Sequence, residues 1–151
     1  MYIELIQPHI IFVTETKLSP TDVTRDYFNF KNYTEYRYDR TIVDGGGGVI
    51  ILVHNNISSE PLLDDVLENT ESAACIIKNG SKKLLLGCIY HKPSSPPEYN
   101  TRINNVIRNL SQIDVDQTLI CGYFNYPKID RNNHIVRASE TSSEQGVQNG
   151  F

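Results

Sequence analysis

Two apolar runs near the middle of the chain flank the dipeptide Asn79-Gly80. They are residues 73–78 (AACIIK) and residues 84–90 (LLLGCIY). Asn-Gly adopts the left-handed backbone of a tight turn at little cost, so the two runs are predicted to be neighbouring antiparallel strands. An antiparallel hairpin of this kind counts against a doubly wound sheet in which all strands are parallel.

A second hairpin is predicted upstream. Residues 33–41 alternate aromatic and charged side chains and suggest a half-exposed strand, whereas residues 49–54 (VIILVH) suggest a strongly apolar strand. Asp44-Gly45 and the glycines after it lie between them and indicate another tight turn. The glycine run lacks the Lys-Ser/Thr pair of a phosphate-binding loop and precedes a strand, so it is interpreted as part of this turn.

Two single strands and a helix complete the pattern. Residues 10–14 (IIFVT) and residues 118–121 (TLIC) are predicted to be buried strands, and Gly122 is predicted to open a loop. Residues 95–98 (SPPE) predict a helix start, with the serine as cap, the first proline at the first helical position and the glutamate closing a capping box. The apolar face of that helix is predicted to contain Tyr99, Ile103, Val106, Ile107 and Leu110.

The order of strand, hairpin, hairpin, helix and strand favours the α/β class, as a layered sandwich of mixed, mostly antiparallel sheets. The three cysteines, Cys75, Cys88 and Cys121, are far apart and each lies in an apolar run, which predicts buried free thiols. The histidines show no metal-ligand spacing and are interpreted as surface or packing residues.

Composition limits the possible functions. At 151 residues the chain fits one domain or part of a larger one. Its net charge of −4 argues against a protein that coats polyanions through a basic surface. A nuclease stays possible, because divalent ions restore positive charge at a carboxylate site. The sequence contains neither a membrane span nor a signal peptide pattern, so we expect an intracellular protein with no membrane partner.

Three polar residues stand out at the ends of predicted strands: Glu15 after residues 10–14, Tyr90 at the end of residues 84–90, and Asn125 in the loop after residues 118–121. Strand ends that feed loops often place reactive groups, and a carboxylate, a phenol and an amide that converge could bind a divalent cation and a phosphate. Each residue also has an ordinary structural interpretation. Glu15 could be a turn residue, Tyr90 a half-buried strand aromatic and Asn125 a loop former.

Four segments resemble, in order, the motifs of the endonuclease/exonuclease/phosphatase family, and among its branches those of non-LTR retrotransposons of the jockey, CR1 and RTE type. They are residues 8–18 (PHIIFVTETKL), 46–53 (GGGVIILV), 90–93 (YHKP) and 121–127 (CGYFNYP). The resemblance extends over about residues 5–130. It implies a layered α/β/β/α sandwich, of which residues 1–151 form a single partial domain that is incomplete because terminal strands are missing.

The resemblance also implies chemistry. Glu15 would coordinate a catalytic Mg²⁺ (or Mn²⁺), Tyr90 would contact the scissile phosphate, and Asn125 would position the phosphate or the attacking water. The substrate would be DNA, nicked at a target site so that the reverse transcriptase domain of the same polyprotein can extend the 3′-hydroxyl. Such a protein would be nuclear when it acts.

The sequence departs from the family pattern at Tyr123, which stands where the family motif G-D-F-N has aspartate. A phenol, which ordinarily titrates near a pH of about 10, is a poor base at neutral pH. The family's N-terminal metal-binding asparagine and its C-terminal Ser-Asp-His segment are not found in the sequence either. The resemblance therefore implies an impaired or inactive endonuclease. The alternatives are a non-catalytic remnant that binds at most metal, DNA or protein, and a phosphatase of the same family.

Overall fold

A computed structural model of the chain describes residues 5–22, 31–40, 47–62, 64–126, 129–130 and 135–136. A 3₁₀ helix spans Asp64–Leu67, and an α-helix, α1, spans Pro97–Ser111. The strands in these ranges are β1 (Ile10–Thr14), β2 (Tyr33–Tyr38), β3 (Val49–His54), β4 (Ser58–Pro61), β5 (Ser72–Asn79), β6 (Lys82–His91), β7 (Gln117–Phe124), β8 (Ile129–Asp130) and β9 (Ile135–Val136).

The first sheet has the order β1-β3-β2, and both pairings are antiparallel. Strand β3 is central because its first five residues are all apolar and buried, and such a strand needs partners on both sides. The pairing of β2 with β3 confirms the predicted hairpin strands. The turn predicted at Asp44-Gly45 lies outside the described residues.

The second sheet has the order β4-β5-β6-β7. Strands β5 and β6 are antiparallel, which confirms the hairpin predicted around Asn79-Gly80. Gly80 has a φ of +60°, in the left-handed region that glycine enters without a steric penalty. Strand β7 runs parallel to β6, so the chain between them, including α1, must return to the end of the sheet where β6 began.

The two sheets pack face to face. Because side chains alternate across a strand, Val49, Ile51 and Val53 of β3 all point into the space between the sheets. There they belong to the same buried cluster as Cys75 of β5 and Leu86 of β6. All five side chains are essentially inaccessible to water. This interior supplies the hydrophobic stabilisation that holds the two sheets together.

Helix α1 covers the other face of the second sheet. Ile103, Val106 and Leu110 are fully buried in a cluster with Leu85 and Ile89 of β6, which confirms the predicted helix face. Two sheets with a helix on the outer face of one of them are the predicted mixed α/β layered sandwich. No helix in the described part of the chain combines the length and apolar content needed to cross a membrane.

The start of α1 was predicted one residue too early. Pro96 is the N-cap, Pro97 begins the helix, and no side chain caps it. The Ser95 hydroxyl instead donates a hydrogen bond to the carbonyl of Lys92 at 2.7 Å. Two consecutive prolines both have the φ that the first helical position requires, so the sequence does not distinguish between them.

The loop predicted at Gly122 is also wrong. Strand β7 continues to Phe124, because Gly122 and the two residues after it pair with the end of β6. Strand β4, the 3₁₀ helix and the two-residue strands β8 and β9, which pair with each other, were not predicted from the sequence. These elements are too short to carry a hydrophobic period.

The three cysteines are free thiols, as predicted. Cys75 and Cys88 lie in the core between the sheets, whereas Cys121 is only partly buried. Burial raises the pKa of both core thiols to about 12, since a thiolate loses its hydration there. At neutral or mildly alkaline pH these two residues therefore stay protonated and unreactive.

We expect the native chain to react with 5,5′-dithiobis(2-nitrobenzoate) at mildly alkaline pH first at Cys121, while Cys75 and Cys88 react only after urea unfolds the sheets. The release of thionitrobenzoate measures both phases. A Cys121→Ser variant is the control and should lose the fast phase alone. Three thiols that react at one rate in the native chain would contradict this packing.

Gly122 marks a very close approach between β6 and β7. A Cβ added there would lie 2.1 Å from the carbonyl oxygen of Ile89, which is closer than any real contact of this kind. We expect Gly122→Ala to lower the free energy of unfolding by about 3 kcal/mol, at the upper end for overpacking, as measured by urea denaturation. The matched control is Gly80→Ala, where no atom lies within 4 Å and only the backbone strain remains, about 1–2 kcal/mol. Equal losses at the two glycines would contradict the close approach.

Candidate active site

The structure brings Glu15 and Tyr90 together. Glu15 follows β1 directly, and Tyr90 is the last but one residue of β6, on the sheet that packs against β1. Tyr90 is buried, and its burial is the main cause that raises the pKa of the phenol. A hydrogen-bonding interaction with the Glu15 carboxylate raises that pKa further, because it favours the protonated phenol.

Tyr123 and Asn125 lie at the same end of the second sheet. Tyr123 is the register partner of Tyr90, and the two rings are nearly parallel, with centroids 6.3 Å apart and planes inclined by 13°. Tyr123 is 51% exposed, so one side of its ring stays open to water. Asn125 lies just after β7, where its side-chain N–H donates to the carbonyl of His91 at 2.8 Å.

A largely buried ion pair between Arg40 and Glu71 adjoins this site. Glu71 accepts hydrogen bonds from Arg40, whose Nε lies 2.8 Å away, and from the backbone N–H of Gly48 at 2.9 Å. The hydrogen bond to Glu71 is the main cause that raises the pKa of Arg40. The backbone of Glu71 makes two further hydrogen bonds. Its carbonyl accepts the N–H of Tyr90 at 2.8 Å, and its N–H donates to the Tyr99 hydroxyl at 3.0 Å.

The same ion pair also holds the loop that carries Glu15. Gly47 and Gly48 accept hydrogen bonds from the N–H groups of Lys17 and Thr16, at 3.0 and 3.4 Å. Glu15 and Lys17 have φ values of +58° and +57°, which non-glycine residues adopt only where the surroundings hold them. Glu71 is therefore linked to Glu15 through Gly48 and Thr16, and to Tyr90 through its own carbonyl.

Glycine is required at positions 47 and 48. Both have positive φ values, +97° and +81°. A Cβ on Gly47 would lie 2.5 Å from Nε of Arg40, and one on Gly48 would lie 2.4 Å from the hydroxyl oxygen of Thr16. The sequence analysis interpreted this run as a turn. The structure shows that its last two glycines also let the ion pair and the β1 loop approach the backbone.

A compact aromatic group adjoins the site. His91 ends β6 and is 2% exposed, with its Nε2 2.6 Å from Oδ1 of Asn100. Its ring stacks on Tyr126 with centroids 4.4 Å apart, and Tyr99 lies at 6.1 Å. His91 is thus a packing residue, as predicted. Its packing fixes the end of β6, where the backbone carbonyl of His91 accepts the hydrogen bond from Asn125.

Among the described residues, no three side chains of the His, Cys, Asp or Glu type are grouped so that they could hold a metal ion. The residue predicted to coordinate the metal, Glu15, has an exposed carboxylate. The residues that sequence reasoning missed are Arg40 and Glu71. They are far apart in the chain, and neither lies in a motif, so no local signal could have paired them.

The fold has known counterparts. The endonuclease domain of TRAS1, a telomere-specific non-LTR retrotransposon, superimposes with a TM-score of 0.56 at 15% identity, over 80% of this chain and 48% of that domain. The human Nocturnin catalytic domain, with a bound sulfate anion, gives 0.54 at 16% identity, over 82% and 54%. The chain has the endonuclease/exonuclease/phosphatase fold.

This fold is the one that the four motifs predicted. ANGEL2, a 2′,3′-cyclic phosphatase, shares it with a TM-score of 0.53 at 15% identity, over 82% of this chain and 42% of that protein. No protein-family profile and no curated protein sequence matches the chain. The chain spans about half the length of the endonuclease/exonuclease/phosphatase structures that it matches.

We expect Glu71→Gln to lower the free energy of unfolding by about 3 kcal/mol, because it removes the carboxylate that pairs with the largely buried guanidinium of Arg40. The matched control is Glu60→Gln. It removes an equal charge from the exposed pair of Glu60 and Lys78, which should cost less than about 1 kcal/mol. Urea denaturation of both variants measures the difference. Similar values for the two would show that the Arg40–Glu71 pair contributes no more than a surface pair.

Proposed function

We propose that this chain is a Mg²⁺-dependent DNA endonuclease domain by descent, in which the hydrolytic step is impaired. The observation that carries the proposal is the position of Tyr123. It lies beside Tyr90, at the end of the second sheet where Asn125 follows. The motif that includes Tyr123 has aspartate at this position in the family that the sequence resembles.

Glu15 is the residue that would hold the metal. Mg²⁺ is typically bound in such enzymes by one or two carboxylates, with waters and substrate phosphates as the remaining ligands. The exposed carboxylate of Glu15 could supply one such ligand, for Mg²⁺ or Mn²⁺. When bound, the ion would neutralise charge that develops on the phosphate oxygens.

Tyr90 and Asn125 would bind the phosphate. The phenol of Tyr90 is protonated at neutral pH, and its single O–H would turn from the Glu15 carboxylate to an anionic oxygen of the substrate when Glu15 holds the metal. Asn125 uses one N–H on the carbonyl of His91 and has a second N–H for the substrate. Both residues are positioned by β6, since His91 follows Tyr90 directly.

With tyrosine at position 123, the chain lacks the aspartate that would act as a general base there. A carboxylate at this position could orient and deprotonate the attacking water, whereas a protonated phenol only donates or accepts a hydrogen bond. Loss of general-base assistance typically lowers a rate by a factor of about 10²–10⁴. The chain would then retain binding groups for metal and phosphate with little turnover.

The same substitution supports a second candidate, a non-catalytic remnant that binds at most metal, DNA or protein. The two differ only in whether the remaining groups support any hydrolysis. In either case we propose that residues 1–151 form part of one domain that acts in the nucleus. The expected partner is a reverse transcriptase domain of the same polyprotein.

The test is nicking of supercoiled plasmid DNA in the presence of Mg²⁺. We expect little or no nicking by the native chain, and at least tenfold faster nicking by Tyr123→Asp. Adding Glu15→Ala to that variant should abolish the gain. Tyr123→Phe is the matched control, since it keeps the ring and should behave as the native chain does.

The outcomes separate the two candidates. Nicking that appears with Tyr123→Asp supports the impaired endonuclease. If no variant nicks DNA while circular dichroism shows each one folded, the endonuclease proposal fails and the remnant is favoured. Strong nicking by the native chain that Glu15→Ala does not reduce would contradict both candidate functions.

A further inference from the structure

Tyr123 presents an exposed aromatic ring at the end of the second sheet. Its side chain is 51% exposed, whereas its register partner Tyr90 is 4% exposed. The hydrolytic chemistry proposed above uses only the lack of a carboxylate at this position and gives the ring itself no role. An aromatic ring offers a ligand a large flat apolar surface, so this one is available for binding.

The open face of the ring points away from Tyr90. Register partners on neighbouring strands point to the same side of a sheet, and the two rings are inclined by only 13°, with centroids 6.3 Å apart. Tyr90 therefore lies on one side of the Tyr123 ring. Among the described strands, β7 is an edge of the second sheet. A flat ligand that stacks on the outer side of Tyr123 would continue the row of rings.

The groups proposed to bind phosphate adjoin this ring. Tyr90 is its register partner, and Asn125 is two residues further along the chain. In a nucleotide the nucleobase and the phosphate are joined through a single sugar. A nucleobase stacked on Tyr123 would therefore bring its own phosphate close to these two side chains.

The charge of the chain leaves room for a contribution of this kind. Nucleic-acid affinity usually comes in large part from cationic side chains on the phosphates. This chain has a net charge of −4, and the exposed lysines next to the site in the described part of the chain are Lys17 and Lys92. Stacking of nucleobases on aromatic rings supplies affinity that does not depend on charge.

Only an unpaired nucleobase can reach the ring. In a duplex each nucleobase is already stacked on its neighbours, and moving it out of the stack costs free energy, whereas a single strand exposes its nucleobases. The ring and the phosphate groups together therefore favour a single strand over a duplex.

We propose that Tyr123 binds a nucleobase of single-stranded DNA by stacking, while the adjoining phosphate lies at Tyr90 and Asn125. This inference rests on the proposed function, which supplies the phosphate-binding groups, and it adds the form of DNA that the site accepts. It involves binding alone, because Tyr123 makes and breaks no covalent bond.

The probes are a fluorescein-labelled oligothymidylate of ten residues and a strand of ten abasic tetrahydrofuran units with the same label and the same phosphates. Fluorescence anisotropy of either strand, titrated with the native chain in EDTA, gives both affinities while the DNA stays intact. We expect the oligothymidylate to bind at least fivefold tighter than the abasic strand. Since the phosphates are equal, the difference reports the nucleobases.

Three variants locate that difference. Tyr123→Leu should weaken oligothymidylate binding at least fivefold and leave abasic binding unchanged, whereas Tyr123→Phe keeps the ring and should keep the native difference. The matched control is Leu119→Ala. Leu119 is 44% exposed on the same side of β7, and its loss should leave both affinities at their native values.

Equal affinities of the native chain for the two strands, or no binding of either, would overturn the proposal without reliance on any variant. Equal weakening by Tyr123→Leu and Leu119→Ala would also overturn it, because the contact would then be a general apolar one. The proposed function fails separately. Faster nicking by Tyr123→Asp in Mg²⁺ together with equal affinities in EDTA would support the endonuclease and reject the stacking. Tighter oligothymidylate binding with no nicking by any folded variant would do the reverse.

Discussion

The Arg40–Glu71 ion pair is the polar contact on which the arrangement of the two sheets at this end depends. Glu71 precedes β5 in the second sheet, and its carboxylate accepts the N–H of Gly48, which precedes β3 in the first. A buried ion pair stabilises a structure only when its remaining hydrogen bonds are satisfied. Here the N–H of Gly48 and the guanidinium of Arg40 both donate to the Glu71 carboxylate. Both hydrogen bonds form only when the two sheets are positioned correctly relative to each other.

Glycine is what makes that contact possible. With a side chain at Gly47 or Gly48, the guanidinium of Arg40 or the hydroxyl of Thr16 would be displaced. The loop after β1 would then lose the carbonyl groups that hold it. The strained backbone of Glu15 is therefore not an isolated feature. It follows from the contact that Gly48 makes with Glu71, a residue more than fifty positions beyond Glu15 in the chain.

Local patterns predicted the parts of the fold that local interactions decide. Strand β1 has the predicted bounds, the strands of both predicted hairpins pair, and the buried face of α1 is the predicted one, because each depends mainly on residue spacing. The end of β7 was missed because a glycine followed by polar residues resembles a loop. Pairing with β6 overrides that tendency.

The site was predictable to the same extent. Three polar residues stand out at strand ends in the sequence: Glu15, Tyr90 and Asn125. The resemblance to a known family implies a catalytic or metal-binding role for each of them. The contacts that position them were not predictable, since Arg40 and Glu71 are distant in sequence and belong to no motif. The environment of Tyr123 also required the structure, because its partner Tyr90 is set by the register of a parallel pair.

The parallel pairing of β7 with β6 has a consequence for the order in which the molecule is assembled. Strands β5 and β6 are joined by a two-residue turn and can pair as soon as both are available, whereas β7 must wait for α1 to form and dock. We therefore expect Tyr90 to be in place before Tyr123 and Asn125 reach the site. Among the described strands of the second sheet, β4 and β7 are the two edges, so local opening at β7 would release Tyr123 and Asn125 while Tyr90 stays in place.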